Sequence, residues 1–371
     1  MNKKPYFTRI YPIVFLLVIF ALSVTTILRL PYRTLKLKTF RSDMNNLMNK
    51  KITCHSRWID LFGLFQLILG KHELDDFKVI KDSLGMLHQQ PIDRTEEELQ
   101  AYADNLSEIC CHSIEQGADF LYVQAPHDLI EEKTKFCAGF ETPSNEHVDK
   151  FLALVSQRNI PMLDSRKLFS DWQAEEIFYK TDHHWRVEAA FHTAESVLKR
   201  VGKRMAPADE FRTLSFPNVF LGSLGVKAGK YFAGMDDFNV YIPTFDTQYQ
   251  VYNDYSDGRK LTQSGDFSEV FLNRELLEAS YLNKYNTLIY GADKKSVIVN
   301  LNQEKDGILL IVADSFGRAI VPYLSLAFSK TIYVDPQTGR YDEGILALIG
   351  EVKPDLVLVL FNGRSPYIQI R

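Results

Sequence analysis

Ile308-Leu-Leu-Ile-Val-Ala313, running straight into Asp314-Ser315-Phe316-Gly317, is the stretch that decides how this chain folds. Six apolar residues without a polar break read as a strand covered on both faces, because a half-exposed strand would alternate. A helix is expected near 316–328, and the pattern then repeats. Thr331-Ile-Tyr-Val334 reads as a strand, 343–351 as a helix and Leu356-Val-Leu-Val-Leu-Phe361 as a final strand.

The same alternation is present upstream. Thr95-Glu-Glu-Glu98 has the form of a capping box, and helical periodicity follows it to about Gly117. Phe120-Leu-Tyr-Val-Gln124 reads as a short buried strand ended by Ala125-Pro126. A helix fits 144–158, a strand Ile160 to Leu163, and a further helix 186–200. Strands alternating with helices of these lengths predict parallel pairing through crossovers. The chain is therefore expected to be an α/β protein built on a doubly wound sheet of about five parallel strands.

Two regions depart from this rhythm. Residues 205–300 are rich in Tyr, Phe, Asp, Asn and Gly and carry short alternating stretches such as Phe238-Asn-Val-Tyr-Ile242. They are expected to form a β-rich insertion that roofs the carboxyl edge of the sheet. Residues 42–93 read as a membrane-proximal helical segment with apolar clusters such as Trp58-Ile-Asp-Leu-Phe62. The organisation is then 1–41 anchor and basic flank, 42–93 helical segment, 94–204 and 301–371 the two parts of the α/β domain, and 205–300 the insertion.

The N-terminus has a character of its own. Nineteen uncharged residues, Ile10 to Leu28, lie between Arg9 and Arg29. As a helix they would reach roughly 28 Å, close to the thickness of a bilayer core. Ala21-Leu-Ser23 is a weak match to a signal-peptidase site, so an uncleaved transmembrane anchor is expected. Basic residues stand on both sides of the span and leave its orientation open.

A net charge of −4 and the lack of a basic run interleaved with aromatics argue against a nucleic-acid partner. The four cysteines, Cys54, Cys110, Cys111 and Cys137, form no Cys-x-x-Cys pair, which excludes a zinc ribbon. A disulfide between Cys137 and the Cys110-Cys111 pair and a set of unpaired thiols remain equally open.

Two motifs carry chemistry. In Tyr179-Lys-Thr-Asp182-His183-His184-Trp185, a carboxylate and an imidazole two residues apart can lie side by side, so that Asp182 orients His184. Ser315 stands where an apolar strand turns into a helix, at the strand end where open sheets bind ligands. Amides at the start of that helix can stabilise an oxyanion. A serine hydroxyl is a poor nucleophile until a base takes its proton, and Asp182-x-His184 supplies base and orienting group together. Taken singly, each motif could instead be a helix cap. Asp182-His183-His184 could also ligate a metal, but His192 is eight residues beyond His184, not the four that set two ligands beside one ion. Neither a metal nor a cofactor is expected.

The string Thr181-Asp-His-His-Trp185, the strand Leu309-Leu-Ile-Val-Ala-Asp-Ser-Phe316 and the order Asp-His before Ser resemble the DHHW proteins. These are similar to the alginate O-acetylation proteins AlgJ and AlgX, with SGNH-hydrolase-like folds of permuted motif order. Weaker agreements are Tyr122-Val-Gln-Ala-Pro126, Ile160-Pro-Met-Leu-Asp164, Phe220-Leu-Gly-Ser223 and Val321-Pro-Tyr323. The resemblance implies a triad of Asp182, His184 and Ser315, and acetyl transfer to or from an extracytoplasmic polysaccharide. A membrane-bound O-acyltransferase is the implied partner, and a single-pass topology with a cytoplasmic N-terminus the implied location. Asn362, Gly317, His183 and Arg364 are the further candidates for oxyanion or substrate contacts. The alternative is a glycan-binding or scaffold component of a polysaccharide machine, without catalysis.

Overall fold

The computed structural model describes residues 53–364, apart from 91, 93, 131, 132, 138, 139, 141–144, 279–282 and 304–306, together with eight scattered residues between 14 and 25. The span 10–28 expected as an anchor therefore falls largely outside the described residues, and no described helix is long and apolar enough to cross a membrane.

In chain order the elements that build the site begin with helix α1 (His55–Ile68) and strands β1 (Glu73–Leu74), β2 (Val79–Lys81) and β3 (Leu87–His88). Helix α2 (Glu96–Glu115), β4 (Asp119–Gln124), α3 (Glu146–Gln157), β5 (Met162–Asp164) and α4 (Val187–Arg200) follow. Then come β6 (Phe211–Phe220), α5 (Ser223–Ala228), β7 (Asp236–Pro243), β8 (Tyr249–Asp254), β9 (Lys260–Gly265) and β10 (Lys295–Asn300). The chain closes with β11 (Ile308–Ala313), α6 (Gly317–Leu324), β12 (Lys330–Val334), α7 (Ile345–Val352) and β13 (Leu356–Phe361).

One eight-stranded sheet runs β5-β4-β13-β11-β12-β10-β8-β9. Its first five strands are mutually parallel, as the unbroken apolar runs predict. The reason is visible in which way each residue points. Leu309, Ile311, Leu358 and Leu360 enter one core with Val197 of α4 and Ile320 of α6. Their neighbours Leu310, Val312, Val357 and Val359 enter the opposite core with Leu106 of α2, Val155 of α3 and Leu348 of α7. A strand that must satisfy two cores has no polar position to spare. Helices thus cover both faces, and Thr95 caps α2 through a reciprocal bond with Glu98, as its sequence indicates.

The 205–300 region behaves differently from a free-standing roof. Strands β10, β8 and β9 add antiparallel to β12 and lengthen the main sheet, giving its open edge hydrogen-bond partners. Strands β6 and β7 form a separate pair that packs Phe211 and Tyr241 against Phe191 of α4. Within this region the loop carrying Tyr285 and the turn at Gly222-Ser223 reach His184 and Asp182. Residues 42–93 also differ from a helical segment: α1 ends at Ile68, and a small three-stranded sheet follows. Gly70 and Asp75-Asp76-Phe77, all at positive φ, impose turns that a helix cannot accommodate.

The four cysteines are unpaired. Cys110 belongs to the core under α2, and burial pushes its thiol up to about 11.

Candidate active site

The carboxyl ends of the parallel strands meet where the chain reverses its direction of travel across the sheet. Ser315 follows β11, Asn362 follows β13, and Pro126-His127 follows β4. Such a switch point opens a crevice because the connections leave adjacent strands in opposite directions.

Each residue of Thr181–Trp185 has a structural reason to be there. The Thr181 hydroxyl and amide both donate to Asp236 Oδ2, at 2.6 and 2.9 Å, and the Lys180 amide donates to Asp236 Oδ1 at 2.8 Å. Thr181 Oγ1 also accepts the Gly222 N–H at 2.8 Å. Trp185, fully buried, pairs with Phe178 across the base of the loop and donates its indole N–H to Phe316 O at 3.2 Å. The tryptophan thus fastens the Asp-His-His loop to the turn that carries Ser315.

Within that frame the three candidate side chains come together. Asp182 Oδ1 accepts His184 Nδ1–H at 2.5 Å and the His184 amide at 2.9 Å, and Oδ2 accepts the Ser223 amide at 2.6 Å. Because a carboxylate only accepts, the imidazole proton lies on Nδ1, and Nε2 is free to accept from Ser315 Oγ–H at 2.7 Å. Burial by itself would favour a neutral Asp182. The charges of His184 and His183, with the hydrogen bonds from His184 and Ser223, nevertheless hold it well below the usual carboxylate range. The Tyr285 ring stacks on His184 at 4.0 Å with 18° between planes, fixing the remaining freedom of the imidazole.

The turn that carries Ser315 is held by Asp314. Its Oδ1 accepts the Phe316 amide at 2.9 Å, its carbonyl accepts the Gly317 amide at 3.0 Å and Tyr333 O–H at 3.1 Å, and its Oδ2 accepts Asn362 Nδ2 at 2.8 Å. Burial raises Asp314 to about 7; the Phe316 amide opposes the rise and nearby Asp335 adds to it. The Ser315 amide makes no hydrogen bond among the described residues.

This geometry sorts the remaining candidates. Gly317 is not an oxyanion donor: its N–H is spent on Asp314, and a Cβ there would lie 2.8 Å from Ala313 Cβ and from Tyr333 Cε2. The glycine is required by packing. Asn362 is committed through one amide N–H to Asp314 and accepts the Arg364 amide at 2.7 Å, so it braces the turn that carries Ser315. The Arg364 guanidinium donates to Gln90 O at 2.9 Å. His183 lies beside the triad, its ring 4.0 Å from that of His184 and its Nδ1 3.1 Å from Ser223 Oγ. Burial, then repulsion from His184, pushes it down to about 4.

Sequence reasoning passed over Tyr285 and Asp236. Ser223 and Gly222 fall in Phe220–Ser223, where the only signal was a weak resemblance. Asp182, His183 and His184 also offer donor atoms within 4.8 Å of one another, close enough to share an ion. Both oxygens of Asp182 and both ring nitrogens of His184 are engaged in the hydrogen bonds above, which an ion would have to displace.

Fold and site together define an α/β protein with a serine, a histidine and an aspartate in hydrogen-bonded series at the carboxyl edge of a parallel sheet. The model of the DHHW protein family matches residues 144–335. The chain belongs to that family. A DHHW family protein from Eubacterium siraeum has a similar structure, with TM-score 0.61 and 18% identity over 78% of this chain and 92% of that one. Bacillus cereus PatB1 is similar over 79% of this chain and 98% of its own, with TM-score 0.64 and 19% identity. The O-acetyltransferase domain of Pseudomonas putida AlgJ aligns at TM-score 0.47 and 14% identity, over 79% of this chain and 93% of that one. No curated protein matches the sequence.

Proposed function

We propose that this chain is a serine-dependent carbohydrate O-acetyltransferase or O-acetylesterase that acts on a cell-envelope or exported polysaccharide. The observation that carries the proposal is the continuous path from Asp182 through His184 to Ser315, with donor–acceptor distances of 2.5 and 2.7 Å. In this mechanism Ser315 Oγ attacks the acyl carbonyl carbon while its proton passes to His184 Nε2. Asp182 stabilises the resulting imidazolium, and the Ser315 amide meets the oxyanion. The ester C–O bond then breaks, the departing alcohol takes the proton from His184, and an acetyl-Ser315 ester remains. A sugar hydroxyl or water, deprotonated by His184, attacks that ester and releases Ser315.

The choice of an acetylated carbohydrate follows the resemblance of Thr181–Trp185 and Leu309–Phe316 to alginate O-acetylation proteins. In the same reading Ile10–Leu28 anchors the chain with its bulk outside the cytoplasm, and a membrane-bound O-acyltransferase supplies the acetyl group.

Purified full-length chain is expected to release nitrophenol from p-nitrophenyl acetate, and Ser315→Ala to remove that turnover. An aryl sulfonyl fluoride should add to the Ser315 peptide by mass spectrometry, and a chelator should change nothing. Retained turnover in Ser315→Ala overturns the mechanism. Chelator-sensitive turnover assigns the Asp182-His183-His184 cluster to a metal. Inactivity of both proteins, with no sulfonyl adduct, leaves a glycan-binding scaffold.

A further inference from the structure

Helix α1 is packed inside out. Its apolar residues Trp58, Leu61, Phe62, Phe65 and Ile68, with Leu69 at its C-cap, recur at the spacing of a helix meant for a core, on a stripe about 120° wide. All six are exposed, Phe65 by 56% and Ile68 by 71%. The opposite face, which the protein does bury, carries Asp60 and Gly63. Asp60 Oδ1 accepts the Lys230 amide at 2.8 Å, and the absent side chain of Gly63 lets α1 approach the end of α5, where a Cβ would stand 2.1 Å from Ala228 O. This docking is specific, so the apolar stripe faces outward by construction.

We infer that this stripe rests in the surface of a lipid bilayer. A stripe of this width and composition suits the headgroup–acyl boundary, where helices lie in the plane with their apolar side down. The chain itself supplies the argument for lipid over a protein partner. The apolar stretch Ile10–Leu28 is upstream, and Thr25 Oγ1 lies 3.0 Å from Thr53 Oγ1, bringing the end of that stretch to the start of α1. Arg29, Arg33, Lys36, Lys38 and Arg41 fall between the two in sequence, and Lys227 lines a shallow cavity with His55, Trp58 and Phe62. A cation at the stripe, with further basic residues next to it in sequence, matches anionic headgroups above acyl chains. The indole N–H of Trp58 donates to Thr53 O at 3.2 Å, leaving its ring to the apolar side.

The stripe also sets the height of the active site. Helix α5 starts at Ser223, whose amide holds Asp182, and ends at Ala228, against which Gly63 packs. One short helix therefore connects the bilayer-facing element to the triad's carboxylate.

The test uses full-length chain reconstituted into phosphatidylcholine–phosphatidylglycerol vesicles, with and without acyl-chain bromine as a fluorescence quencher. Trp58 emission is isolated by subtracting Trp58→Phe. It is expected to lose most of its intensity in brominated vesicles. In Leu61→Glu/Phe65→Glu that loss should disappear, while far-ultraviolet circular dichroism and acetyl-ester turnover stay at the native level. Unquenched Trp58 in the native chain overturns the inference, and cross-linked dimers in the same vesicles would identify a second copy as the occupant. Quenching that survives the double substitution also overturns it, since upstream tethering alone would then account for proximity.

Discussion

Adding one methyl group at Gly222 tests the architecture behind the triad without touching any of its members. Gly222 has φ −70° and ψ −178°, a conformation open to alanine, so the backbone gives no reason for glycine. The surroundings do. A Cβ there would lie 2.3 Å from Asp182 Cβ and 2.6 Å from both Asp182 Oδ2 and Thr181 O. Carbon atoms in contact stand about 3.5–4.0 Å apart, so something must move by roughly 1 Å. Thr181 is fixed by two hydrogen bonds to Asp236 and cannot yield cheaply. Either Asp182 shifts away from His184, or the Gly222-Ser223 backbone retreats and takes the Ser223 amide from Asp182 Oδ2. Both outcomes loosen the group that orients the base. A displacement of about 1 Å costs on the order of 10²-fold in rate, or about 2.7 kcal/mol of transition-state stabilisation. Gly222→Ala should therefore lower kcat/KM on p-nitrophenyl acetate by about that factor, with native circular dichroism and a stability lower by about 1–3 kcal/mol, as at an overpacked site. Gly350 is the control, because nothing lies within 4 Å of its added Cβ. Gly350→Ala should leave kcat/KM unchanged and raise stability by about 0.5–1 kcal/mol through helix propensity. Native kcat/KM in a correctly folded Gly222→Ala would refute the claim that this close approach positions Asp182.

Asp182→Asn should lower kcat by about 10⁴-fold, because an amide can donate to His184 Nδ1 and leave the proton on Nε2, facing Ser315; a pH–rate profile of the residual activity checks the assignment. His88 is buried between Asp82 Oδ2 at 3.2 Å and Asp128 Oδ2 at 3.7 Å. Burial lowers its pKa, but the two carboxylates outweigh this and raise it to about 9. Its folded pKa exceeds the ordinary value of 6.5, so the stability it contributes is complete below 6.5 and is lost as pH rises through about 9. Urea midpoints measured across that window should fall for the native chain, and the slope should flatten in His88→Gln. Leu358→Ala in the centre of β13 should cost about 2–5 kcal/mol in urea unfolding without changing the m-value, since Leu358 has no exposed surface to begin with.

The sheet was readable in advance because its signal is local. A strand covered on both faces must be apolar throughout, and Leu309–Val312 and Val357–Leu360 announce that without reference to any distant residue. That Asp182 could meet an imidazole of its own loop was readable for the same reason, since two residues of loop are enough to bring the groups together; the choice of His184 over His183 came from the resemblance to the DHHW proteins. That Ser315 completes the series needed one further assumption, the strand-end position that parallel sheets share.

The remaining features depend on surfaces that meet only after folding. Nothing in the vicinity of β8, β9 and β10 states that they will extend the edge of β12, because edge pairing is chosen by whichever strand arrives. Gly222, Ser223, Tyr285 and Asp236 acquire their roles from Asp182, Thr181 and His184, tens of residues away in sequence. Gly317 and Asn362 looked like oxyanion donors by position, and only the folded turn decides that Asp314 takes the Gly317 amide and one N–H of the Asn362 side chain. Helix α1 makes the division plainest. Its periodicity alone identifies an amphipathic helix, but a periodic stripe has no sign for inward or outward. Asp60 and Gly63, by fitting against Lys230 and Ala228, decided that the apolar side would face away from the protein.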